Sequence, residues 1–507
     1  MMETSLSTLL AILAGFIIIY YVIYRKKYFE THQIPHPKAY PLLGNMVPVL
    51  LGRFSFLENM TNTYNLNKEA KYVGFYDFSG PVTIIRDLDL IKSITTKHFD
   101  HFVDHQSFIA KPELEPLFGN NLFALRGDRW REIRALVTGA FTSSKMKAMF
   151  KLMSDCGSTF AEYLVDQSRK GMTEINSKDS FTRYANDTIA TCAFGISVDS
   201  MANPTNEFYV LGREATNFEG LKTLRFLMVQ NFPMISKLFG IKLIDANIEK
   251  FFCDLVRDTM AVRDKEGIYR PDMIQLMMET RNREPGSKKP ELTIESMTSQ
   301  ALIFFLGGFE TTSTVMCLAA HEIACHPEIQ EKLQEEIDRV LEECEGDPTY
   351  EAVNSMKYLD AIVNESLRLY PVPGFMDRVC TKNFELPPSL PGLKPLPIKS
   401  GDRFWIPVWG IQRDPQYFPD PDQFIPERFI GDKNAINTSA YLPFGVGPRM
   451  CIGNRFALLE TKVLLFHLLA KCNIQPAKRM ILPMRLSKKD FTMMAEGGFW
   501  LEIHSRK

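Results

Sequence analysis

The sequence has little cysteine and no close pair of it. Nine cysteines are scattered over 507 residues, from Cys156 to Cys472. No two stand as C-x-x-C, which excludes a zinc ribbon or a thioredoxin-type dithiol. They are too sparse for a disulfide scaffold, so a reducing compartment is expected, with most of these thiols serving as small buried hydrophobes. Charge of neither sign is in excess. A formal net charge of -1 and a pI near 6.8 leave no basic footprint for nucleic acid. Internal repeats, low-complexity tracts and interdomain linkers are missing as well. At 45% hydrophobic and 23% charged residues, the chain reads as one large globular body.

What is present begins with an apolar run. Leu6–Tyr24 holds 19 residues without a charge, about the length that crosses a bilayer core as a helix. Arg25, Lys26 and Lys27 follow it, and Glu3 precedes it. Positive charge after the run departs from a secretory leader. By the positive-inside rule it leaves the rest of the chain in the cytosol. The other reading of the run is a buried core helix. The expected organisation is a single-pass transmembrane anchor with its basic stop at 1–27, a stiff non-helical neck at 28–45 marked by Pro35, Pro37, Pro41 and Gly44, and one folded domain at 46–507.

Within that domain, short strands are expected at Tyr72–Phe75 and Pro81–Ile85 around a turn at Ser79-Gly80. From Leu88 to about Leu341 the pattern is mainly helical, broken by the polar stretch Arg281–Pro290. A long helix runs from Ser296 to Cys325, Pro327 opens the next, and a further one ends at Tyr370 before Pro371. Phe384–Trp409 reads as short strands and turns. Phe456, Leu459, Val463 and Phe466 recur at helical spacing, so the last long helix starts just after Cys451. The fold class is mainly α, with a minor β region drawn from both ends of the chain.

The segment Phe444-Gly445-Val446-Gly447-Pro448-Arg449-Met450-Cys451-Ile452-Gly453 carries the most chemistry. A thiolate that binds a metal must be open on one side and shielded on the other. Gly445 and Gly447 allow positive φ and close approach of the backbone to a flat ligand. Cys451 stands at the start of a helix, where N–H groups and the dipole favour a thiolate. Arg449 offers a fork suited to a carboxylate, and Gly453 leaves room for the edge of a macrocycle. A dinucleotide fingerprint would need a third glycine where Met450 stands, and a phosphate loop would need Lys-Ser/Thr. A glycine-rich turn around a structural cysteine is the plain alternative.

This loop resembles the haem-binding signature of the cytochrome P450 superfamily, F-x-x-G-x-R-x-C-x-G, at every fixed position. The resemblance implies haem b with Cys451 as axial ligand to its iron, and Phe444, Gly445, Arg449 and Gly453 around it. Other motifs follow in the family's order. Glu365 and Arg368 are similar to its E-x-x-R, and Pro426-Glu427-Arg428-Phe429 to its P-E-R-F, implying a buried network of Glu365, Arg368 and Arg428 behind the loop. Trp130 and Arg134 resemble W-x-x-x-R, and Arg378 a further ligand, for the haem propionates. One departure is Gln412, where the family usually has histidine; the position reads as peripheral.

Gly307-Gly308-Phe309-Glu310-Thr311-Thr312 lies in the middle of the long helix. Two adjacent glycines weaken a helix by about 1 kcal/mol each, so something is expected to pack against the backbone there. A small-residue packing face is one explanation. The run also resembles the family's oxygen-side motif, which implies Thr311 as hydrogen-bond partner of dioxygen and Glu310, with water, as proton relay. By the same resemblance Ile303, Leu306, Gly307, Val372, Pro373 and Phe499 line a substrate pocket together with the segment from Phe108 to Leu122, and the run from Phe226 to Leu238 dips into the bilayer. The Phe141–Lys145 and Phe309–Ser313 runs look most like the microsomal, xenobiotic-metabolising branch and its insect detoxification members.

The expected activity is a haem-thiolate monooxygenase in the endoplasmic reticulum membrane, acting on apolar small molecules. No flavin or ferredoxin segment is readable, so electrons are expected from an NADPH-dependent flavoprotein reductase, with cytochrome b5 as a second donor. Arg129, Arg131, Lys145, Lys147 and Arg455 would form the docking face. The alternatives are a haem-thiolate isomerase that rearranges peroxides and a non-catalytic, membrane-tethered binding protein.

Overall fold

The computed structural model describes residues 12, 15, 28–41, 43–106, 115–216, 222, 225, 226, 228, 229, 233–270, 272–281, 292–431, 436–488, 490 and 493–506. The expected anchor, apart from residues 12 and 15, lies outside them, as do 108–114 of the expected pocket wall and most of the polar break. Nine strands are described: β1 (Tyr72–Asp77), β2 (Gly80–Ile85), β3 (Glu174–Asn176), β4 (Met376–Val379), β5 (Phe384–Leu386), β6 (Leu396–Ile398), β7 (Arg403–Ile406), β8 (Cys472–Pro476) and β9 (Trp500–Ser505). They form a four-stranded sheet in the order β1-β2-β7-β4, a three-stranded sheet β3-β9-β8 and the pair β5-β6. The β region therefore does join both ends of the chain. The hairpin β1-β2 turns at the expected place, with Tyr72 opposite Ile85 and Asp77 opposite Gly80. Strand β3 was not expected. Its three residues carry no alternating pattern, and it exists because β9 offers it an edge from more than 300 positions downstream.

The helices that carry the argument are α1 (Phe56–Tyr64), α2 (Gly127–Val137), α3 (Ser143–Arg169), α4 (Ser177–Ile189), α5 (Ile294–Leu306), α6 (Thr312–Cys325), α7 (Pro327–Glu343), α8 (Lys357–Leu369) and α9 (Asn454–Lys471). Local signals set several of their starts. Ser55 and Glu58 close a capping box on α1, at 3.2 and 2.6 Å. Asn176 caps α4, Thr293 caps α5, and Pro327 takes the first turn of α7. α6 packs against α9, which in turn packs against α3. Ile294–Cys325 is long and apolar enough to cross a membrane, but over half of its most apolar stretch is buried inside the protein, so here it is a core element. Behind α5, Phe194, Phe208, Phe252, Phe305 and Phe309 form a chain of ring contacts with neighbouring centroids 4.9 to 5.3 Å apart. Phe194, Phe208, Phe252 and Phe305 thus pack helices together, while Phe309 also lines a cavity.

The neck corrects an expectation. Tyr28–Thr31 forms a turn of helix, and Phe29 is fully buried. Its ring meets Tyr76 of β1 edge-on at 5.0 Å and fills the space over Gly74, where a Cβ would overlap it. Burial of an aromatic side chain on the sheet stabilises the docked turn, so the start of the neck, 28–31, is helical rather than non-helical.

Candidate active site: a cysteine loop facing a bulged helix

The cysteine loop folds back on itself before α9. Gly445 and Gly447 both have positive φ, at 76° and 78°. A side chain on Gly447 would collide with the Thr95 carbonyl, so this glycine is required by both its conformation and its space. Met450 N–H donates to Gly447 O at 2.9 Å and Cys451 N–H to Phe444 O at 2.8 Å. Cys451 is exposed, yet it lines an internal cavity. Its open face is the one turned into that cavity. The protein walling its other sides raises the thiol pKa by burial, against the opposing effects of the Gly453 N–H and the Arg134 guanidinium. α9 begins at Asn454, just after Cys451 as expected, and the Gly453 N–H does favour the thiolate, although burial acts more strongly in the other direction.

Behind the loop lies the predicted charge network. Glu365 and Arg368 are completely buried on α8 and bonded as a fork, at 2.7 and 2.9 Å. Arg428, from the short 3-10 helix Pro426–Phe429, reaches Glu365 at 3.3 Å, and the Ile425 N–H donates to the same carboxylate at 2.9 Å. The remaining donors of Arg368 hold the carbonyls of Gln412, Pro421 and Gln423 at 2.7 to 3.0 Å. Gln412 itself is fully buried, which corrects its reading as peripheral. Its amide donates to the Leu367 and Arg368 carbonyls and accepts from the Leu442 N–H at 2.7 Å. It therefore ties α8 to the entry of the cysteine loop. Gln412→Ala would strand those buried groups, so a loss of about 1–3 kcal/mol is expected, read as a lower denaturation midpoint at unchanged haem ligation.

On the wall of the cavity that Cys451 lines, the long helix is interrupted. Gly307–Thr311 forms a π turn between α5 and α6. The two glycines have different jobs. A Cβ on Gly308 would come within 2.6 Å of Ile189 Cδ1 on α4, whereas one on Gly307 would enter open space. Close helix packing and an open groove thus sit side by side. The Thr311 hydroxyl donates to Gly307 O, and Thr312 to Gly308 O, which replaces bonding the bulge disturbs. Glu310 does not stand alone. Lys178 Nζ, from the first turn of α4, lies 2.9 Å from Glu310 Oε1 and 3.2 Å from its carbonyl. It also donates to Ser313 Oγ at 2.8 Å and Thr314 Oγ1 at 2.9 Å. Sequence reasoning missed this lysine.

The cavity between these elements has a volume of about 1610 Å³. Cys451, Thr311 and Glu310 line it, as do all six predicted pocket residues: Ile303, Leu306, Gly307, Val372, Pro373 and Phe499. Of the segment from Phe108 to Leu122, Phe118 and Leu122 are described and line it, and so does Phe226. Farther along the run to Leu238, Met234 and Leu238 are largely exposed, at 86% and 79%.

One end of the cavity is cationic. Arg378 is buried, and its Nε has no hydrogen-bond partner among the described residues. Burial pushes its guanidinium down to about 10. Arg449 is pushed down to about 9, by burial first and by Arg378 next. Arg449 also clamps the loop. It donates to the carbonyls of Val103, Leu122 and Leu125 at 2.8 to 3.4 Å and lies 4.0 Å over the Trp130 ring. Arg134, one helical turn from Trp130 on α2, donates to Met450 O at 2.8 Å. These four residues, Phe444, Gly445 and Gly453 all line the same cavity. His105 lines it too, with Nδ1 2.9 Å from Asp377 Oδ1 and its ring stacked on Phe123 at 4.6 Å. No motif had singled it out.

Two buried arginines that repel each other, one with an orphaned N–H, fit a ligand that brings carboxylates. The cysteine between paired glycines fits a flat group with a metal at its centre. The residues present therefore suit haem b, with Cys451 on the iron and the arginines on the propionates.

Comparison with known proteins agrees with this geometry. The family model described as "Cytochrome P450" matches residues 34–501. "Cytochrome P450 9e2" of Blattella germanica is 44% identical, over 94% of this chain and 94% of its own length. "Probable cytochrome P450 9f2" of Drosophila melanogaster is 36% identical over 94% and 95%, and "Cytochrome P450 6k1" of Blattella germanica 32% over 97% and 96%. With the cysteine loop, the buried Glu365–Arg368 pair and the bulged helix in one cavity, the chain belongs to the cytochrome P450 family, as a haem b-dependent monooxygenase.

Proposed function

We propose that this protein inserts one atom of dioxygen into apolar small molecules, xenobiotic or endogenous, using electrons from an NADPH-dependent flavoprotein reductase, with cytochrome b5 as a second donor. It would do so at the endoplasmic reticulum membrane, held by the 1–27 anchor with its catalytic domain, 46–507, in the cytosol. The observation that carries this reading is that Cys451, the Glu310–Thr311 pair and a largely apolar wall share one cavity. When bound, haem b would supply the reductive activation of dioxygen, and Cys451 would hold its iron through a thiolate. The chain's own residues do the rest. Arg378, Arg449, Arg134 and Trp130 seat the propionates. Ile303, Leu306, Val372, Pro373 and Phe499 exclude water and hold the substrate by its apolar surface. Thr311 presents a hydroxyl at the groove left open by Gly307, and Glu310, fixed by Lys178, stands one residue away as the group that passes protons.

Thr311→Ala removes that hydroxyl from an exposed position in the groove, so folding and substrate binding should persist. The expected result is continued NADPH consumption, with peroxide rising and product falling by about ten-fold or more. Unchanged coupling of NADPH to product would remove Thr311 from the proposed role.

The docking cations are only partly free. Arg129 pairs with Glu132, Arg131 with Asp100, and Lys147 with Glu351. Lys145 and Arg455 have no carboxylate partner among the described residues. Reversing Arg129, Arg131, Lys145 and Lys147 to Glu should slow reductase-supported turnover about ten-fold or more at low salt, less so at high salt, while peroxide-supported turnover survives. A parallel fall in both activities would mean that these charges serve haem retention instead.

A further inference from the structure

His105 is the one titratable imidazole on the cavity wall among the described residues, and nothing in the reaction as derived above uses it. Its Nδ1 is tied to Asp377 Oδ1 at 2.9 Å. Asp377 is itself fixed, since its other oxygen accepts the Gln106 N–H, and Arg378 donates to its carbonyl at 2.7 Å. The ring plane is set by Phe123, stacked at an interplanar angle of 18°. With Nδ1–H donated to the carboxylate, the neutral ring is left with Nε2 as an acceptor. No described residue bonds to that nitrogen. Arg378 and Arg449 line the same cavity and both act electrostatically on the ring, and the Arg378 Nε has no hydrogen-bond partner among the described residues.

We propose that the His105–Asp377 pair is the proton-linked partner of a haem propionate, so that reduction of the haem draws one proton from solvent onto His105 and the midpoint potential falls as pH rises. Charge matching between ring and propionate carries this proposal, which rests on the haem reading above. A neutral imidazole offers a propionate only a lone pair, whereas a protonated one offers a charge-assisted donor. The electron that enters adds negative charge to the haem and so raises the ring's affinity for a proton. One electron from the reductase and one proton from solvent are taken up together: an Nε2–H bond forms as a hydronium O–H bond breaks, and the oxidation state of the ring does not change. The charged groups that face the ring are Asp377, which favours the imidazolium, and Arg378 and Arg449, which oppose it. Burial is the largest influence and lowers the ring's pKa; a propionate would add a second anion that favours the imidazolium.

The test is a spectroelectrochemical titration of the full-length holoprotein between about pH 5 and 8, the interval in which imidazoles change charge. The reduced, carbon-monoxide-bound spectrum is recorded on each sample, so that loss of thiolate ligation is told apart from loss of proton linkage. For the wild type the potential should fall with rising pH. A ten-fold difference in proton affinity between the two oxidation states reads as about 59 mV. His105→Phe keeps an aromatic against Phe123 and should give a potential independent of pH. His105→Gln, which does not titrate but still hydrogen-bonds, should be equally flat if His105→Phe loads haem poorly. A wild-type potential that does not move with pH would overturn the proposal, as would a slope that survives in His105→Gln.

Discussion

Arg368→Ala is expected to give a protein that retains little haem and unfolds early. The guanidinium is completely buried and serves Glu365 and three backbone carbonyls at once. Its removal leaves the Glu365 carboxylate in the interior, supported only by Arg428 at 3.3 Å and one N–H. Breaking a buried pair by deleting one partner costs about 3–5 kcal/mol, against a total stability of about 5–15 kcal/mol. The damage should concentrate at the loop, because Pro421, Gln423 and Gln412 lose the donor that fixes them relative to α8. Haem per protein and the thermal midpoint read the effect. Arg368→Lys should fail nearly as badly, since one ammonium cannot replace a planar fork. The double change Glu365→Ala and Arg368→Ala should be less damaging than the sum of the two singles, because no lone charge stays behind. If Arg368→Ala keeps wild-type haem content and melting, the network is not what seats the cysteine loop.

Cys451→Ser is expected to lower reductase-supported product formation to background. The sulfur is the soft, polarisable donor at the open face of the loop, and an alcohol there neither ionises as readily nor pushes electron density in the same way. The position also discriminates among thiols. Cys192 is the other cysteine on the cavity wall among the described residues. It is buried, its thiol is pushed far up by that burial, and it faces Met149 O at 3.9 Å. Cys192→Ser should therefore leave turnover near wild type. Loss of activity in both variants would point to a general packing defect rather than to ligation.

The contrast between what the sequence revealed and what it concealed follows from where each signal resides. Cys451, Arg449 and their glycines lie within ten consecutive residues, so their geometry is written locally. Glu365 and Arg368 share a helix face at i, i+3, and Trp130 and Arg134 at i, i+4, so spacing alone pairs them. Lys178 meets Glu310 across 132 positions, and His105 meets Asp377 across 272. Neither leaves a pattern, because a single lysine in a first turn or a histidine in a loop is common on any surface. Gln412 was misjudged for the same reason: its three hydrogen bonds come from α8 and from the loop entry, elements 30 and 44 or 45 residues away. The glycine pair did announce close packing, but only the fold separates Gly308, which meets Ile189, from Gly307, which opens the groove. The neck was read from its prolines, whereas Phe29 decides where it docks.

The absorption spectrum of the reduced, carbon-monoxide-bound protein reads directly the ligand that holds the haem. The wild type should show the red-shifted band of a thiolate-bound haem. Cys451→Ser should lose it, and Cys451→His should show an ordinary imidazole-type spectrum. A red-shifted band that persists in Cys451→Ser, or its absence from a haem-loaded wild type, would contradict the assignment of Cys451.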